Sequence, residues 1–387
     1  MKKKIAILGS TGSIGKSTIN IIKKDKNNFD IILLTTHKNI KELNKQLKIL
    51  NVKNLIITHQ KSFELFKKKN RNKKIKIFNN YKILNKILKY KLDYTMSAIS
   101  GLAGLEPTLE IIAKTKVLAI ANKESIVCGW NLIKKKLDKF NTSFIPVDSE
   151  HFSIWSLIKG NNYNSIDRIF ITASGGPFLK WPIKRIKNAS PEKALKHPNW
   201  SMGKKISIDS STMMNKVFEV IETQRIFNLQ KSKIKILIHE KSYIHAIIQF
   251  NNGLKKILAH ETNMIIPIFN TIYGEKKEIL NNKNLNIKIL NNLELNEVNI
   301  KKFPLIKILN LIPEKNSLFE TVLVSANDEL VDLFLKKKIT YNDIQKNLLA
   351  FVKTKEFLNY RNKKPNNIDQ IEQLNYQVRL KIRELCI

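Results

Sequence analysis

The fold is decided near the start of the chain by residues 9–15, which read GSTGSIG. An apolar run at residues 5–8 precedes this stretch and predicts a strand, and residues 14–24 follow it with a helical pattern. The glycines permit a tight turn and a close approach to a ligand, while the amides and dipole of a helix start attract a pyrophosphate. A plain glycine-rich turn is the alternative, but the strand, turn and helix context favours a nucleotide-binding loop.

The residues that follow this loop alternate between short apolar runs and helical patterns. The apolar runs lie at residues 31–35, 55–58, 75–78, 94–98, 117–121 and 144–147. Such alternation predicts βαβ units around a mainly parallel sheet. We therefore expect an α/β fold whose N-terminal domain, residues 1–147, is Rossmann-like and binds a dinucleotide.

The end of the second predicted strand indicates which dinucleotide would bind. A site for NAD would place Asp or Glu there, about 20 residues after the loop, to hold the ribose 2′-hydroxyl. Residues 35–39 instead read TTHKN, with no carboxylate and one lysine, Lys38. A solvated lysine in a turn is the alternative, but a 2′-phosphate fits this segment better. We expect NADPH rather than NADH as the cofactor.

Three further segments follow along the chain. Residues 148–274 mix apolar strands with loops that contain half of the prolines, which predicts an α+β catalytic domain. Residues 275–298 are rich in Asn, Lys and Leu and are interpreted as a connector. From residue 299 to residue 387, apolar residues recur at helical spacing, which predicts a C-terminal helical bundle.

The charge of the chain raises a different class of function. Among 387 residues, 69 are Lys or Arg and 32 are Asp or Glu, and a net charge of +37 suggests a nucleic acid or an anionic membrane as partner. Residues 41–91 contain 16 basic and 2 acidic residues, whereas residues 148–224 contain 11 and 7. Because the excess is mostly Lys among Asn and Ile, without Arg and aromatics placed for base contacts, we interpret it as surface bias and expect no specific nucleic-acid partner.

The remaining composition favours a cytoplasmic protein. The two cysteines, Cys128 and Cys386, form no CxxC pair, which argues against a disulfide framework and a thiolate zinc site. The polar loop follows the first strand too soon for a signal sequence, and no apolar run of about 18 residues indicates a membrane span. We expect a folded protein without a membrane partner.

Paired carboxylates occur at residues 148–150, which read Asp-Ser-Glu. On an extended chain, positions i and i+2 face the same way, so the two carboxylates would converge, and Mg²⁺ or Mn²⁺ would stabilise the pair. Such a pair alone is more often solvated, so a metal site needs a third ligand. Glu219 is a candidate, since on a helix it shares a face with Asn215 and Lys216.

Several polar segments resemble sites for an anion. Ser210, Asn215 and Lys216 together suggest a phosphate cradle, and an ordinary capped helix is the alternative. Residues 174–177, SGGP, form either an anion-binding turn or only a tight turn. Residues 197–203, HPNWSMG, are predicted to form a loop. This loop is either a lid that closes over a substrate or a segment whose His and Trp are simply packed.

Taken together, these motifs closely resemble one family, the 1-deoxy-D-xylulose 5-phosphate reductoisomerases of the non-mevalonate isoprenoid pathway. The matching strings are GSTGSIG (9–15), SAISGLAGL (97–105), ANKES (121–125), DSEH (148–151), ASGGPF (173–178), HPNWSMG (197–203), IDS (208–210) and MMNK (213–216). They run in family order over about residues 1–270, with weaker similarity at residues 325–329.

The resemblance implies roles residue by residue. The implied NADPH contacts are Thr11, Gly12, Ser13, Ile14, His37, Lys38, Asn39, Asn122, Glu124 and Gly203. The implied ligands of Mg²⁺ or Mn²⁺ are Asp148, Glu150 and Glu219. The implied substrate contacts are Lys123, Ser149, Glu150, Ser174, His197, Ser210, Asn215, Lys216 and Glu219, of which Lys123, Glu150 and His197 are the catalytic residues, and Trp200 and Met202 would belong to the lid.

The family also implies a reaction and a homodimer. 1-Deoxy-D-xylulose 5-phosphate would be rearranged and then reduced by NADPH to 2-C-methyl-D-erythritol 4-phosphate. The chain departs from the family pattern at His37, where Gly is usual, so a cofactor contact there would come from the backbone. Another NADP-dependent reductase, such as a semialdehyde dehydrogenase, is the nearest alternative, but neither Cys128 nor Cys386 lies in the predicted catalytic domain.

Overall fold

A computed structural model describes residues 2–70, 74–161, 163–274, 280 and 285–386. The chain divides into two compact units. Unit 1 comprises Met1–Ser125, Leu132–Phe152 and Met264–Leu280, and unit 2 comprises Ile126–Asn131, Ser153–Asn263 and Asn281–Ile387.

Unit 1 is built on a parallel sheet of seven strands. The strands are β1 (Lys3–Leu8), β2 (Phe29–Thr36), β3 (Val52–Ile57), β4 (Lys76–Phe78), β5 (Leu92–Ser97), β6 (Thr115–Ile120) and β7 (Ser143–Pro146), in the spatial order β4-β3-β2-β1-β5-β6-β7. The strand order reverses between β1 and β5. Open sheets of this kind bind nucleotides at such a switch point, beyond the carboxyl ends of the strands.

Helices connect these strands and cover the sheet. They are α1 (Ser13–Lys24), α2 (Ile40–Leu47), α3 (Gln60–Lys69), α4 (Leu84–Ile87), α5 (Leu105–Ile111), α6 (Lys123–Phe140) and α7 (Ser149–Ile158), and the last two contribute residues to both units. Strand residues such as Ile5, Leu34, Leu55 and Tyr94 have no exposed surface. A parallel sheet buried on both faces requires near-continuous apolar strands, which is why the sequence predicted them. The α/β class and the predicted strands are confirmed.

One helix of unit 1 comes from much later in the chain. α12 (Ile265–Tyr273) packs its buried residues Ile268 and Ile272 into the core of unit 1. The hydroxyl of Tyr94 lies 2.8 Å from that of Thr271, and Tyr273 donates to the carboxylate of Asp25 at 3.0 Å. The sequence analysis placed these residues in the second domain, because the pattern of a short apolar helix does not show which core it covers.

Unit 2 contains a mixed sheet of five strands. They are β8 (Ile166–Ala173), β9 (Ile234–Ile238), β10 (Ile244–Phe250), β11 (Lys255–Ala259) and β12 (Asn296–Glu297), in the order β11-β10-β8-β9-β12. β8 and β9 are parallel, and the other neighbouring pairs are antiparallel. The sequence analysis predicted β8, β9 and β10 but not the two edge strands, which are half-exposed or only two residues long.

The other helices of unit 2 lie between its strands or after the last of them. They are α8 (Ile183–Ile186), α9 (Pro191–Ala194), α10 (Lys204–Thr212), α11 (Met214–Phe227), α13 (Ile287–Leu290), α14 (Phe319–Leu335), α15 (Tyr341–Phe351), α16 (Lys355–Leu358) and α17 (Ile368–Cys386). The last four form the predicted C-terminal helical bundle, in which Arg383 of α17 contacts Glu329 of α14 at 2.6 Å. Residues 275–279 and 281–284 of the predicted connector lie outside the described residues. Across the part of the chain that the structure describes, no helix combines the length and apolar character needed to cross a membrane.

Candidate active site

The glycine-rich loop of unit 1 joins β1 to α1 as predicted. The amide of Gly9 donates to Thr35 Oγ1 at 2.8 Å, and the amide of Ser10 donates to Thr35 O at 2.9 Å. A Cβ atom on Gly15 would lie 2.4 Å from Gly9 O, so only glycine permits this tight turn. Gly12 caps α1 without a side-chain hydrogen bond. The first amides of a helix have no partner within it, so those of α1 suit a pyrophosphate.

Gln46 of α2 holds this loop in place, and the sequence analysis missed it. Its Nε2 donates to Ser10 O at 2.9 Å, and its Oε1 accepts from Ser10 Oγ at 2.8 Å. Gln46 is 3% exposed. A glutamine three residues after the buried Leu43 was the available signal, since that spacing places both on the buried face of α2.

The segment predicted to meet the 2′-phosphate lies at the carboxyl end of β2. His37 and Lys38 are exposed. The side chain of Asn39 accepts from the amide of Glu42 at 3.0 Å and caps α2. The side chain of Thr11 lies 2.7 Å from Thr36 Oγ1, in the loop beside this segment.

Asn122 precedes α6 and is committed to the local fold. Its Nδ2 donates to Ile99 O and, at 2.8 Å, to Gly101 O, while its Oδ1 accepts from the amide of Ser125 at 2.6 Å. Glu124 follows in the first turn and is 7% exposed. Because both Nδ2 hydrogens of Asn122 are used within the protein, its side chain can offer a cofactor only Oδ1, as an acceptor.

The predicted geometry of the paired carboxylates is wrong, although the residues do converge. α7 begins at Ser149, so residues 148–150 are not an extended strand but the start of a helix. A carboxylate oxygen of Asp148 and one of Glu150 nevertheless lie within 4.8 Å of each other. The helix turn brings them together because Asp148 precedes its first residue and Glu150 lies in its first turn.

A lysine and a histidine lie beside Asp148. Lys123 Nζ lies 3.1 Å from Asp148 Oδ2, and His151 Nδ1 lies 3.5 Å from Asp148 Oδ1. Burial alone would raise the pKa of Asp148, but the lysine and the imidazole hold it well below its ordinary range. Asp148 is therefore a carboxylate at neutral pH.

This carboxylate pair fits a divalent cation. Asp148 Oδ1 is buried, and among the described residues it has only the long contact with His151 Nδ1 and no hydrogen bond of good geometry. Ser149 Oγ donates to Glu150 Oε2 at 2.6 Å, which orients the second carboxylate. Two converging carboxylates, one with an unsatisfied buried oxygen, supply the hard oxygen ligands that Mg²⁺ and Mn²⁺ prefer.

Unit 2 contains a second cluster, which begins with Ser174 and His197. His197 Nδ1 accepts from the amides of Asn199 at 3.1 Å and Trp200 at 3.0 Å, so the neutral ring carries its proton on Nε2. Nε2 lies 2.9 Å from Ser174 Oγ, which also accepts from the amide of Gly176 at 3.1 Å. Ser174 therefore keeps its hydroxyl proton for another acceptor, such as a phosphate oxygen.

Helices α10 and α11 bring the other predicted anion-binding residues to this place. Gly176 has a φ of 66°, and a Cβ atom on it would lie 2.9 Å from Ser210 O, so the turn after β8 packs closely on α10. Lys216 Nζ donates to Thr172 O at 2.5 Å, beside the same turn. Lys216 and Asn215 both donate to the carboxylate of Glu219, which confirms the predicted shared face.

The predicted lid, residues 197–203, has no helix or strand. The ring of Trp200 lies edge-on to that of His245, with centroids 6.1 Å apart. Asn199 Nδ2 donates to Ser242 Oγ at 3.0 Å. Gly203 caps α10 and has open space around its Cα atom. The segment is therefore a loop whose central residues, Asn199 and Trp200, contact the rest of unit 2, whereas Gly203 at its end has no close neighbour.

His197 makes the stability of the protein depend on pH. Burial lowers its pKa from 6.5 to about 4. The unfolded chain therefore binds a proton at a higher pH than the folded chain, and the free energy of unfolding falls as the pH drops from about 6.5 to about 4. Denaturant titrations at pH 7 and pH 5 should show a smaller fall for His197→Gln than for the wild type. Equal falls would contradict this prediction.

Each unit thus brings its predicted residues to one region of its fold. In unit 1 the glycine-rich loop follows β1, and Lys123 and the carboxylate pair follow β6 and β7, at the same carboxyl edge of the sheet. Unit 2 joins a hydroxyl, an imidazole, a lysine and a carboxylate around the end of β8. These features define a dinucleotide-dependent oxidoreductase of the α/β class.

Comparison with known proteins identifies the family. Residues 5–129 match the family model of 1-deoxy-D-xylulose 5-phosphate reductoisomerase, and residues 144–227 and 260–381 match models of C-terminal domains of the same enzyme. The 1-deoxy-D-xylulose 5-phosphate reductoisomerase of Pelagibacter ubique (strain HTCC1062) is 58% identical over 387 residues, which is 100% of both chains. The chain belongs to the 1-deoxy-D-xylulose 5-phosphate reductoisomerase family.

Solved structures are similar over nearly the whole chain. The reductoisomerase from Zymomonas mobilis in complex with NADPH is 29% identical, with a TM-score of 0.88 over 100% of this chain and 99% of that one. A DOX-P reductoisomerase in complex with NADPH, fosmidomycin and magnesium is 29% identical, with a TM-score of 0.91 over 99% of this chain and 98% of that one.

Proposed function

We propose that the chain is a reductoisomerase and that its active-site residues are those described above in each unit. The chain catalyses the NADPH- and divalent-metal-dependent conversion of 1-deoxy-D-xylulose 5-phosphate to 2-C-methyl-D-erythritol 4-phosphate, a step towards isoprenoid precursors. The observation that carries the assignment of residues is that those matching the family motifs lie at the carboxyl edge of the sheet in unit 1 and around the end of β8 in unit 2. In this proposal residues 1–147 bind NADPH, residues 148–274 form the catalytic domain except for α12, which packs in unit 1, residues 275–298 connect, and residues 299–387 form the helical domain.

The proposed cofactor site follows the loop and the strand ends of unit 1. Its pyrophosphate is bound at the start of α1, where Gly12 leaves the first amides without a side-chain cap. The 2′-phosphate lies at the end of β2, where Lys38 is exposed and no carboxylate is present among residues 35–39. The proposed contacts are Thr11, Gly12, Ser13, Ile14, His37, Lys38, Asn39, Asn122, Glu124 and Gly203.

The proposed metal ligands are Asp148, Glu150 and Glu219. A divalent cation there polarises the substrate carbonyl as a Lewis acid, and NADPH supplies the hydride. Lys123, at 3.1 Å from Asp148, keeps that carboxylate ionised and ready to bind metal. Lys216 donates a hydrogen bond to the carboxylate of Glu219 and so orients it.

The proposed substrate contacts divide by chemistry. Lys123, Ser149 and Glu150 meet the polar carbon chain of the substrate, where Lys123 supplies a fixed positive charge close to the reacting oxygens. The phosphate end is bound by Ser174, His197, Ser210, Asn215 and Lys216. Because phosphate contacts lie away from the reacting carbons, they orient the substrate and favour closure of the loop with Trp200 and Met202.

Other properties are proposed on the resemblance to the family. Manganese as well as magnesium would support turnover, since both accept carboxylate ligands. We place the enzyme in the cytoplasm as a homodimer. We assign no nucleic-acid partner, because the charge excess lies in Lys/Asn stretches and residues 148–224 are nearly balanced.

The test is NADPH oxidation, followed by absorbance, with 1-deoxy-D-xylulose 5-phosphate as substrate. We expect consumption that requires added Mg²⁺ or Mn²⁺ and that stops after treatment with a chelator. An assay with NADH in place of NADPH is the control, and we expect it to be slower. A folded sample that consumes no NADPH in the presence of metal and substrate would disprove the proposed function.

A further inference from the structure

Two histidines face each other beyond the ends of β2 and β3 in unit 1. The ring centroids of His37 and His59 are 5.4 Å apart, and the rings are inclined at 71°. The amide of Thr58 donates to Thr36 O at 3.1 Å, and that of His59 donates to His37 O at 3.3 Å. These bonds continue the parallel ladder past both strands. They place His59 beside the segment that is proposed to meet the 2′-phosphate.

Both rings are oriented through one nitrogen. His37 Nδ1 lies 2.9 Å from Thr58 Oγ1, and His59 Nδ1 lies 2.9 Å from Ser62 Oγ. Ser62 Oγ in turn donates to Lys38 O at 3.4 Å, which connects the start of α3 to the lysine segment. No described residue bonds Nε2 of either ring, so each ring, once protonated, offers an N–H there to an anionic ligand.

The surroundings of the two rings favour an anion. Residues 35–39 and 58–62 contain no carboxylate, and Lys38 and Lys61 are exposed. Burial, Lys38 and His59 together lower the pKa of His37. A phosphate dianion placed between the rings would reverse that effect, since a nearby negative charge favours the protonated imidazole.

We propose that His59 is a specificity-determining residue, which binds the 2′-phosphate of NADPH together with His37 and Lys38 and so discriminates against NADH. The inference rests on the proposed NADPH function. It also gives the side chain of His37 a role: where the family usually has Gly, this chain pairs an imidazole with His59.

Binding, rather than turnover, tests the inference. The affinities of the metal-free full-length chain for NADPH and NADH are measured by calorimetry at pH 7 and fixed salt, for the wild type and His59→Leu. A hydrogen bond to a charged group changes affinity by roughly tenfold or more. We therefore expect the Kd for NADPH to rise about tenfold in His59→Leu and the Kd for NADH to change less than about twofold. His59→Gln, which keeps a side-chain donor, should lose less, and it decides the matter if the leucine variant does not fold.

Lys61→Leu is the matched control, because it removes a positive charge from the first turn of α3, where no described hydrogen bond or ion pair connects it to His37. We expect both Kd values to stay near those of the wild type. Equal losses for NADPH and NADH in His59→Leu, or equal losses of NADPH in His59→Leu and Lys61→Leu, overturn the inference. If the folded wild type binds no NADPH, the proposed function itself is contradicted. If the wild type and His59→Leu have the same ratio of Kd values for NADPH and NADH, only the role of His59 is contradicted.

Discussion

Glu219→Gln is expected to abolish turnover while leaving NADPH binding intact. The substitution keeps the size of the side chain but removes the negative charge that a divalent cation requires. The loss of a Lewis acid removes several kcal/mol of transition-state stabilisation, so we expect kcat to fall by roughly a thousandfold or more. Two measurements check this: NADPH oxidation as a function of Mg²⁺ concentration, and NADPH affinity by calorimetry.

A control substitution at another glutamate of unit 2 tests whether the loss of any carboxylate there abolishes turnover. Glu192 is an exposed acid whose carboxylate lies 2.7 Å from Lys337. Glu192→Gln should keep full activity and an unchanged dependence on Mg²⁺. Full activity in Glu219→Gln would remove Glu219 from the proposed metal site. Loss of NADPH binding in that variant would show that the residue supports the fold rather than the metal.

The largest expected effect on stability comes from Arg225, at the other end of α11. Arg225 Nη2 lies 2.5 Å from Glu320 Oε1, and both side chains are almost fully buried. Arg225 also donates to the carbonyls of Pro313 at 2.9 Å and Lys315 at 3.1 Å. Removing one partner of a buried pair leaves an uncompensated charge, so Arg225→Met should lower the free energy of unfolding by about 3–5 kcal/mol.

Chemical denaturation of two further variants separates this effect from simple loss of a charge. Arg225→Met combined with Glu320→Gln removes both charges and should recover part of the lost stability. Lys336→Met breaks an exposed pair with Asp332 and should cost less than about 1 kcal/mol. If the double variant were no more stable than Arg225→Met, an uncompensated Glu320 would not be the cause.

The same pair connects the C-terminal helices to α11, which carries three of the proposed metal and substrate contacts. Asn215, Lys216 and Glu219 lie in the first half of α11, and Arg225 lies near its end. Glu320 belongs to α14, and its second oxygen accepts from the amide of Ser317 at 3.1 Å. Loss of the Arg225–Glu320 pair would therefore loosen the helix that carries residues proposed to bind metal and phosphate.

Much of the fold could be predicted because its strands are long, apolar and separated by helical patterns. The strand β11 was missed because its lysines and exposed Ile257 do not resemble a buried strand. The extended geometry expected for residues 148–150 was wrong because alternation over three residues cannot distinguish a strand end from the start of a helix. Only the hydrogen bonds after β7 show that α7 begins at Ser149.

The candidate site was predictable where it depends on residues in short motifs. Gly15, Asp148 and Lys216 each belong to a string that matches the family. Gln46 was not predictable, since its role depends on a tertiary contact with Ser10, 36 residues away in sequence. The direction of the His197 ring was also inaccessible, because it is set by two backbone amides that only the folded loop supplies.

The anchoring of the glycine-rich loop has a consequence for how the cofactor arrives. Ser10 is hydrogen-bonded to Gln46 and Thr35, so groups of the chain itself hold this loop in place. Fixing the backbone of one residue costs roughly 1–2 kcal/mol of free energy through lost conformational entropy. At these residues that loss occurs when the chain folds, not when the cofactor binds. The dinucleotide thus meets a preorganised pyrophosphate site, and its rate of association should be limited by diffusion and orientation rather than by rearrangement of the loop.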